Sequence, residues 1–277
     1  MGRMMLGIDN TIIFKEDTHQ YFDRDANEYQ SVTRILKKIQ VPFDKDKVSG
    51  FMAVTIAKEK GISVEQAKAE LLLEWEGKRD SSIDRGTGIH KHIEYYLNTG
   101  NKIIELAGVI NYLNEIIKPA YRYYSEIILY DQTTKIAGQT DLVIQRQKTP
   151  DSVYDFYDYK TNESKGIQFD SIGRKSDVDK HYNKYFLSPL EHLEDCNYSL
   201  YSLQLSLYAY LAQVTYGIKI GRLGIIFIDN EMKVQMFPVP YLKMEAVSLV
   251  FHMSRLHQLP TMVAQKIEPT IKVEEDW

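Results

Sequence analysis

The sequence predicts an α+β (α/β) domain: a central mixed sheet flanked by helices, with an N-terminal helical lobe. Three observations carry this. Residues 124–130, 135–145 and 153–160 are successive apolar runs with strand-like alternation, separated by short polar breaks. Helical spacing of apolar residues dominates before and after them. Strands grouped between helices bury their apolar faces as stacked layers, an α+β or three-layer α/β/α arrangement.

Taken in order, residues 12–14 and 19–22 alternate like strands. Asp23-Arg24-Asp25-Ala26-Asn27 reads as a turn, with 28–30 as a returning strand. Ser31 caps a short helix over 32–39, which Pro42 stops. A helix over 48–60 ends at Gly61, and Ser63 caps another, with Gln66 completing a capping box, that runs to about Glu76. Gly86-Thr87-Gly88 opens a further helix with Ile89, Ile93, Tyr96 and Leu97 on one face. A helix over 106–117 precedes Pro119 and the three strands. An irregular stretch, 161–197, separates the last of these from an apolar helix over 198–212. A hairpin, 223–228 and 233–237, turns at Asp229-Asn230, a helix over 241–257 closes the fold, and the tail from Pro260 is loose. The expected organisation is an N-terminal hairpin and helical lobe over 1–84, a core over 85–260 with 161–197 as an insertion, and a tail over 261–277. The two lobes are expected to form one compact unit.

Composition narrows the function. The chain has 277 residues, 44% of them hydrophobic and 26% charged, enough for a full core. One cysteine, Cys196, excludes an intramolecular disulfide, a multi-thiolate zinc site and a Cys-ligated iron–sulfur cluster within one chain. His192 and Cys196 are spaced i, i+4, but two ligands do not make a zinc site. Lys plus Arg number 34 against 38 Asp plus Glu, a net charge of −4. That counts against a protein coating nucleic acid by bulk charge, but not against an enzyme with a local groove and metal-binding carboxylates. No run reaches the roughly 20 apolar residues of a membrane span, and the first ten residues lack a signal-peptide apolar region. The expected place is a reducing cytoplasm, without membrane attachment.

The chemistry concentrates at Asp158-Tyr159-Lys160, at the end of an apolar strand. Residues two apart in a strand share a face, so Asp158 and Lys160 stand side by side. Alone, that pattern reads equally as a surface ion pair. Asp141 adds to it, because a charged residue inside a strand needs a partner or a metal. If the strands are hairpin neighbours, Asp141 faces Asp158, and two carboxylates with a main-chain carbonyl suit Mg²⁺ or Mn²⁺. A salt bridge from Asp141 to Lys160 is the competing reading. His90 and Glu94 share a helix face, as do Gln204 and Tyr208. Each pair also reads as a polar edge on a packed helix.

Together these residues resemble the PD-(D/E)XK nuclease superfamily, in its RecB-like branch, which includes exonucleases of phage and of mitochondrial genome maintenance. The matching blocks are Gly86-Thr87-Gly88-Ile89-His90, Gly138-Gln139-Thr140-Asp141, Asp158-Tyr159-Lys160 followed by Thr161, and Gln204-Leu205-Ser206-Leu207-Tyr208. Ser31-Val32-Thr33-Arg34-Ile35-Leu36 also looks like a segment near the start of such enzymes. The relatives that carry a four-cysteine iron–sulfur cluster are excluded by the single cysteine.

The resemblance implies a restriction-endonuclease-like core and a Mg²⁺- or Mn²⁺-dependent deoxyribonuclease. It points to an exonuclease acting on single-stranded ends in phage or bacterial replication, recombination or repair. Asp141, Asp158, the Tyr159 carbonyl and His90 would hold the metal. Lys160 would hold the attacking water, Gln204 and Tyr208 would position Lys160 or the phosphate, and Glu126 would support the site. Arg85, Thr87, Thr161, Lys175 and Lys184 are candidate nucleic-acid contacts. Lys165, Arg174 and Lys180, with Tyr182, Tyr185 and Phe186, give the insertion a composition suited to a single strand. DNA is the expected partner, with replication or recombination proteins beside it. The alternative is a non-catalytic DNA-binding or scaffold protein that keeps a nuclease fold.

Overall fold

A computed structural model describes residues 11–149, 151–161, 167 and 184–264, with side chains to residue 255. The N-terminal strands Ile12–Lys15 (β1), Gln20–Asp23 (β2) and Glu28–Ser31 (β3) form an antiparallel meander, as the alternation predicts. The central strands are Arg122–Asp131 (β4), Ile136–Gln145 (β5) and Val153–Lys160 (β6). The last pair is Lys219–Ile228 (β7) and Val234–Val239 (β8). All eight lie in one sheet, ordered β1-β2-β3-β5-β6-β7-β8, with β4 paired to β5. The sheet is mixed: β3 runs parallel to β5 and β6 parallel to β7, and the other pairs are antiparallel. The parallel β6–β7 step follows from the helix Asn197–Tyr216 (α5) that connects them, since a parallel pair needs a crossover.

One edge of β5 is shared. Its first residues pair with β3, at Gln30↔Ile136 and Ser31↔Ala137, and its last with β6, from Leu142↔Tyr157 to Gln145↔Tyr154. Residues 138–141 fall in the split between these two partners.

Alternation along the strands feeds a core on each face. Val143 and Phe156 join Leu203, Leu207 and Leu211 of α5, together with the helix Val32–Lys38 (α1) and the last helix, Lys243–Ala264 (α6). Leu142, Ile144, Tyr157 and Tyr159 join Ile89, Ile93 and Leu97 of the helix Val64–Thr99 (α3) and Val109 and Leu113 of Ala107–Ile116 (α4). Each fully buried leucine of α5 contributes about 1.5–3 kcal/mol, which fixes the helix that carries Gln204 and Tyr208.

Helix ends follow local chemistry. Ser31 Oγ accepts the Arg34 N–H and starts α1. The helix Lys45–Lys60 (α2) begins three residues before the expected start, because Asp44 caps it, and ends at Gly61 with φ +67°. Cys196 Sγ accepts from Ser199 N at the start of α5. The larger correction concerns α3. A break near Glu76 and a new helix at Gly86-Thr87-Gly88 were expected, but one helix of 36 residues runs from the Ser63 cap to Gly100. Interior glycines weaken a helix by about 1 kcal/mol each without breaking it. Packing of Ile89, Ile93 and Leu97 outweighs that cost. At Gly86 the absent side chain has a use, since a Cβ there would lie 3.1 Å from Thr161 Oγ1. Helix α3 is unbroken across residues 84–85, and β3 joins the same sheet as β5, so the N-terminal strands and the core share one framework. Helix α6 continues through Pro260 to Ala264, beyond the expected end at 257, because a proline can kink a helix without ending it. Residues 265–277 lie outside the described residues.

Candidate active site

The split in the sheet positions Asp141. On the edge where β3 and β6 leave residues 138–141 unpaired, the Asp141 carboxylate does what a strand would do: its Oδ2 accepts the Tyr159 backbone N–H at 2.6 Å. His90, from α3 on the other layer, brings Nδ1 to 3.5 Å from Asp141 Oδ1 and sets its ring edge-on to Tyr159 at 5.5 Å.

Glu126 reaches the same place from β4. Its φ is +51°, a left-handed conformation that costs a residue with a side chain about 1–2 kcal/mol, and the Gln139 amide donates to its carbonyl at 3.1 Å. Register pairs flank it at Ser125↔Leu142 and Ile127↔Thr140. Ligand atoms of His90, Glu126 and Asp141 lie within 4.8 Å of one another.

The charges show what this costs. Burial alone would lower the His90 pKa, but the Asp141 carboxylate outweighs it and raises it to about 9. Burial, then Asp141, pushes the Glu126 carboxyl well above the ordinary carboxylate range. Burial disfavours the Asp141 anion too, yet His90 and Lys160 hold its pKa below the usual value. Protons on His90 and Glu126 therefore supply positive balance that a cation would supply on binding.

Asp158 belongs to a second group. Its Oδ2 lies 2.6 Å from Lys160 Nζ, but off hydrogen-bond geometry, and this buried oxygen has no hydrogen-bond partner. Asp155, three residues earlier, shows the contrast. It takes Arg146 Nε and Nη2 at 2.8 Å each and the Arg222 N–H at 2.7 Å, as a structural buried carboxylate should. Burial raises the Asp158 pKa against the pull of Lys160. Lys160 Nζ donates to Gln204 Oε1 at 3.1 Å, Gln204 Nε2 donates to Tyr208 Oη at 3.0 Å, and the Tyr201 ring lies 4.5 Å from the ammonium. Burial works against the charged ammonium, but Asp158 raises the Lys160 pKa, so it is protonated at neutral pH.

Both groups line one cavity of about 220 Å³. Its other walls come from Ser31 and Thr33, in the segment that resembles the start of such nucleases, and from His19 and Tyr21, which no sequence signal linked to the site. The strand-like alternation placed the N-terminal meander, but not its attachment beside β5. Gly138 makes the fit possible, since a Cβ there would lie 2.6 Å from Tyr208 Cε1 and 3.0 Å from Val32 Cγ2.

The remaining candidates scatter. Arg85 turns into the fold, donating to the Thr161 and Asp229 carbonyls at 3.1 and 2.7 Å. Thr87, Lys184 and Tyr185 are exposed away from the cavity lining, and Phe186 is buried in the core rather than offered to a ligand. Thr161 is half-buried against Gly86. Lys165, Arg174, Lys175, Lys180 and Tyr182 lie outside the described residues. The Tyr159 group that engages is its N–H, and the compact metal-type group contains Glu126 where the resemblance implies Asp158.

The residues fit a hard divalent cation. Carboxylate oxygens and one imidazole converge, and the buried Asp158 carboxylate, paired through Oδ2 with Lys160, stands beside them. No helix among the described residues is long and apolar enough to cross a membrane.

No protein-family model and no curated protein matches the chain. Among solved structures, the protein SSO0001 overlays with a TM-score of 0.35 at 15% identity, covering 83% of this chain and 76% of its own. A candidate exonuclease from Eubacterium rectale overlays with a TM-score of 0.30 at 13% identity, covering 82% and 71%. Scores of this size leave the chemistry to the residues in the cavity.

Proposed function

We propose that this chain is a divalent-metal-dependent deoxyribonuclease of the PD-(D/E)XK type, a cytoplasmic exonuclease that hydrolyses DNA from single-stranded ends in phage or bacterial replication, recombination or repair. One observation carries the reading. A half-buried lysine, fixed between Asp158 and the Gln204–Tyr208 pair, shares a cavity with a His90–Glu126–Asp141 group that suits a metal.

Asp141, Glu126 and His90 would hold Mg²⁺ or Mn²⁺, with Asp158 beside them. The ion supplies a Lewis acid for a phosphoryl oxygen and lowers the pKa of bound water. Lys160 keeps its proton and sets a fixed positive charge where negative charge grows on the phosphate. Gln204 takes one ammonium hydrogen and is itself held by Tyr208, so the charge is oriented before substrate arrives. Asp158 keeps Lys160 charged and would add a carboxylate beside the cation. The cluster of carboxylates repels a phosphodiester until a cation offsets it, which makes cleavage conditional on metal.

End dependence is tested with linear and covalently closed circular single-stranded DNA of one sequence, in Mg²⁺. Loss of the linear form with the circle intact is the expected result. Equal cutting of the circle would reject the exonuclease.

A further inference from the structure

The cavity that holds Asp141 and Lys160 has a rim built from the N-terminal strands and α1, outside the four blocks that carry the catalytic candidates. The β1–β2 loop, residues 16–19, brings His19 to it, and Thr33 lines it from α1. His19 has φ +51°, a conformation that side-chain-bearing residues rarely hold without a reason. Its ring packs edge-on against Phe14 at 5.1 Å. The loop is tied across to α3 by Glu16 Oε1 and Lys91 Nζ at 3.0 Å, next to His90. Burial lowers the His19 pKa first, and the charges of Lys37 and Arg34, two of the three cations of α1, lower it further. Arg34 keeps an exposed partner, Glu28, at 3.0 Å. Arg34 Nη1 and the side-chain amide of Gln20, the residue after His19, both reach Glu28 Oε1 at 3.0 Å, and Lys37 lies one helical turn after the cavity-lining Thr33, so an imidazole and two cations flank a cavity whose interior holds three carboxyl groups.

An anionic polymer meets opposed fields there. The carboxylates need a cation before they tolerate the phosphate that is cut. The rim can take an adjacent phosphate directly, through N–H donors and positive charge. We propose that His19, Arg34 and Lys37 form a second phosphate subsite, which binds the backbone phosphate flanking the scissile one in a single DNA strand. The proposal rests on the nuclease reading for its substrate. It makes the N-terminal meander a substrate-positioning element.

The test uses H19N and R34A/K37A in the full chain. Asparagine tolerates a positive φ, so H19N removes the ring without straining the loop. Two measurements are made on one fluorescent single-stranded oligonucleotide: steady-state hydrolysis in Mg²⁺ and equilibrium binding in EDTA. Both variants are expected to raise KM and Kd about three- to tenfold, with kcat within about twofold of wild type. For R34A/K37A the slope of log K against log salt should become shallower by about 0.7, the increment for one phosphate contact on a single strand. Unchanged KM, Kd and slope would overturn the proposal. Replacing chloride with inorganic phosphate at equal ionic strength should weaken wild-type binding more than R34A/K37A binding, because the free anion competes for the same subsite. Equal weakening of both would overturn the proposal. If wild type cuts no DNA, the nuclease reading fails, and the binding measurement alone decides the subsite.

Discussion

The Tyr159 backbone N–H donates to Asp141 Oδ2 at 2.6 Å, bridging the place where β5 changes partners from β3 to β6. One carboxylate therefore both closes the sheet and faces the cavity. Asp141→Asn keeps the size and one acceptor but loses the charge that holds His90 protonated. The expected outcome is a stability loss of about 1–2 kcal/mol by thermal unfolding, and loss of more than about 99% of cleavage. An active variant would show Asp141 to be a structural tie only.

Gly138→Ala tests the packing under the site. The added methyl meets Tyr208 Cε1 and Val32 Cγ2, both buried, so neither ring nor branch can swing into solvent. Overpacking of this kind costs about 1–3 kcal/mol. Because Tyr208 holds Gln204, and Gln204 holds Lys160, cleavage should fall at least tenfold at temperatures where the fold is intact. Circular dichroism melts and initial rates together check it.

Much of this arrangement was legible in the sequence, and the exceptions have physical reasons. The three central strands, the Ser31 and Ser63 caps and the Gly61 and Asp229-Asn230 turns follow from local chemistry that a short window contains. The resemblance to the nuclease superfamily implies that Asp141, Asp158, Lys160, Gln204 and Tyr208 share a site, and they line one cavity. The continuity of α3 was not legible, because glycines that read as punctuation are tolerated by core packing and, at Gly86, required by a close approach. The contribution of His19 and Tyr21 depends on β3 pairing with β5, a contact about a hundred residues away in sequence that no local pattern encodes. The left-handed Glu126 was hidden for a related reason: within an alternating apolar run nothing marks a residue whose backbone turns out of register.

The proton balance gives a pH dependence. In metal-free protein the folded-state pKa of His90 is raised from 6.5 to about 9, so its stabilisation is full below pH 6.5 and lost as pH rises through about 9. Glu126 acts in the same direction, because a carboxyl with a raised folded pKa favours the unfolded chain as pH climbs above its ordinary range. Asp141, with its lowered pKa, loses its contribution only on acidification. The melting temperature in EDTA should fall between pH 6.5 and 9. Saturating Mn²⁺ should flatten that slope by replacing the protons. A flat profile in EDTA would contradict the charge assignment.

Glu126→Gln separates fold from metal binding. The amide mimics the protonated carboxyl that the metal-free site prefers, so the melting temperature in EDTA at neutral pH should change little. The rise in melting temperature on adding Mn²⁺ should shrink, and the rate should fall at least tenfold. An unchanged Mn²⁺ response would remove Glu126 from the metal group.

The most direct measurement of the central claim is hydrolysis of end-labelled single-stranded DNA by wild type and Lys160→Ala, each in Mg²⁺ and in EDTA. Lys160 is held by Asp158, Gln204 and the Tyr201 ring, and in the proposed mechanism its charge faces the phosphate. The account predicts cleavage by wild type in Mg²⁺, none in EDTA, and a loss of about a thousandfold or more in Lys160→Ala with the fold retained. Cleavage by wild type in EDTA, or a wild-type rate in Lys160→Ala, would contradict it.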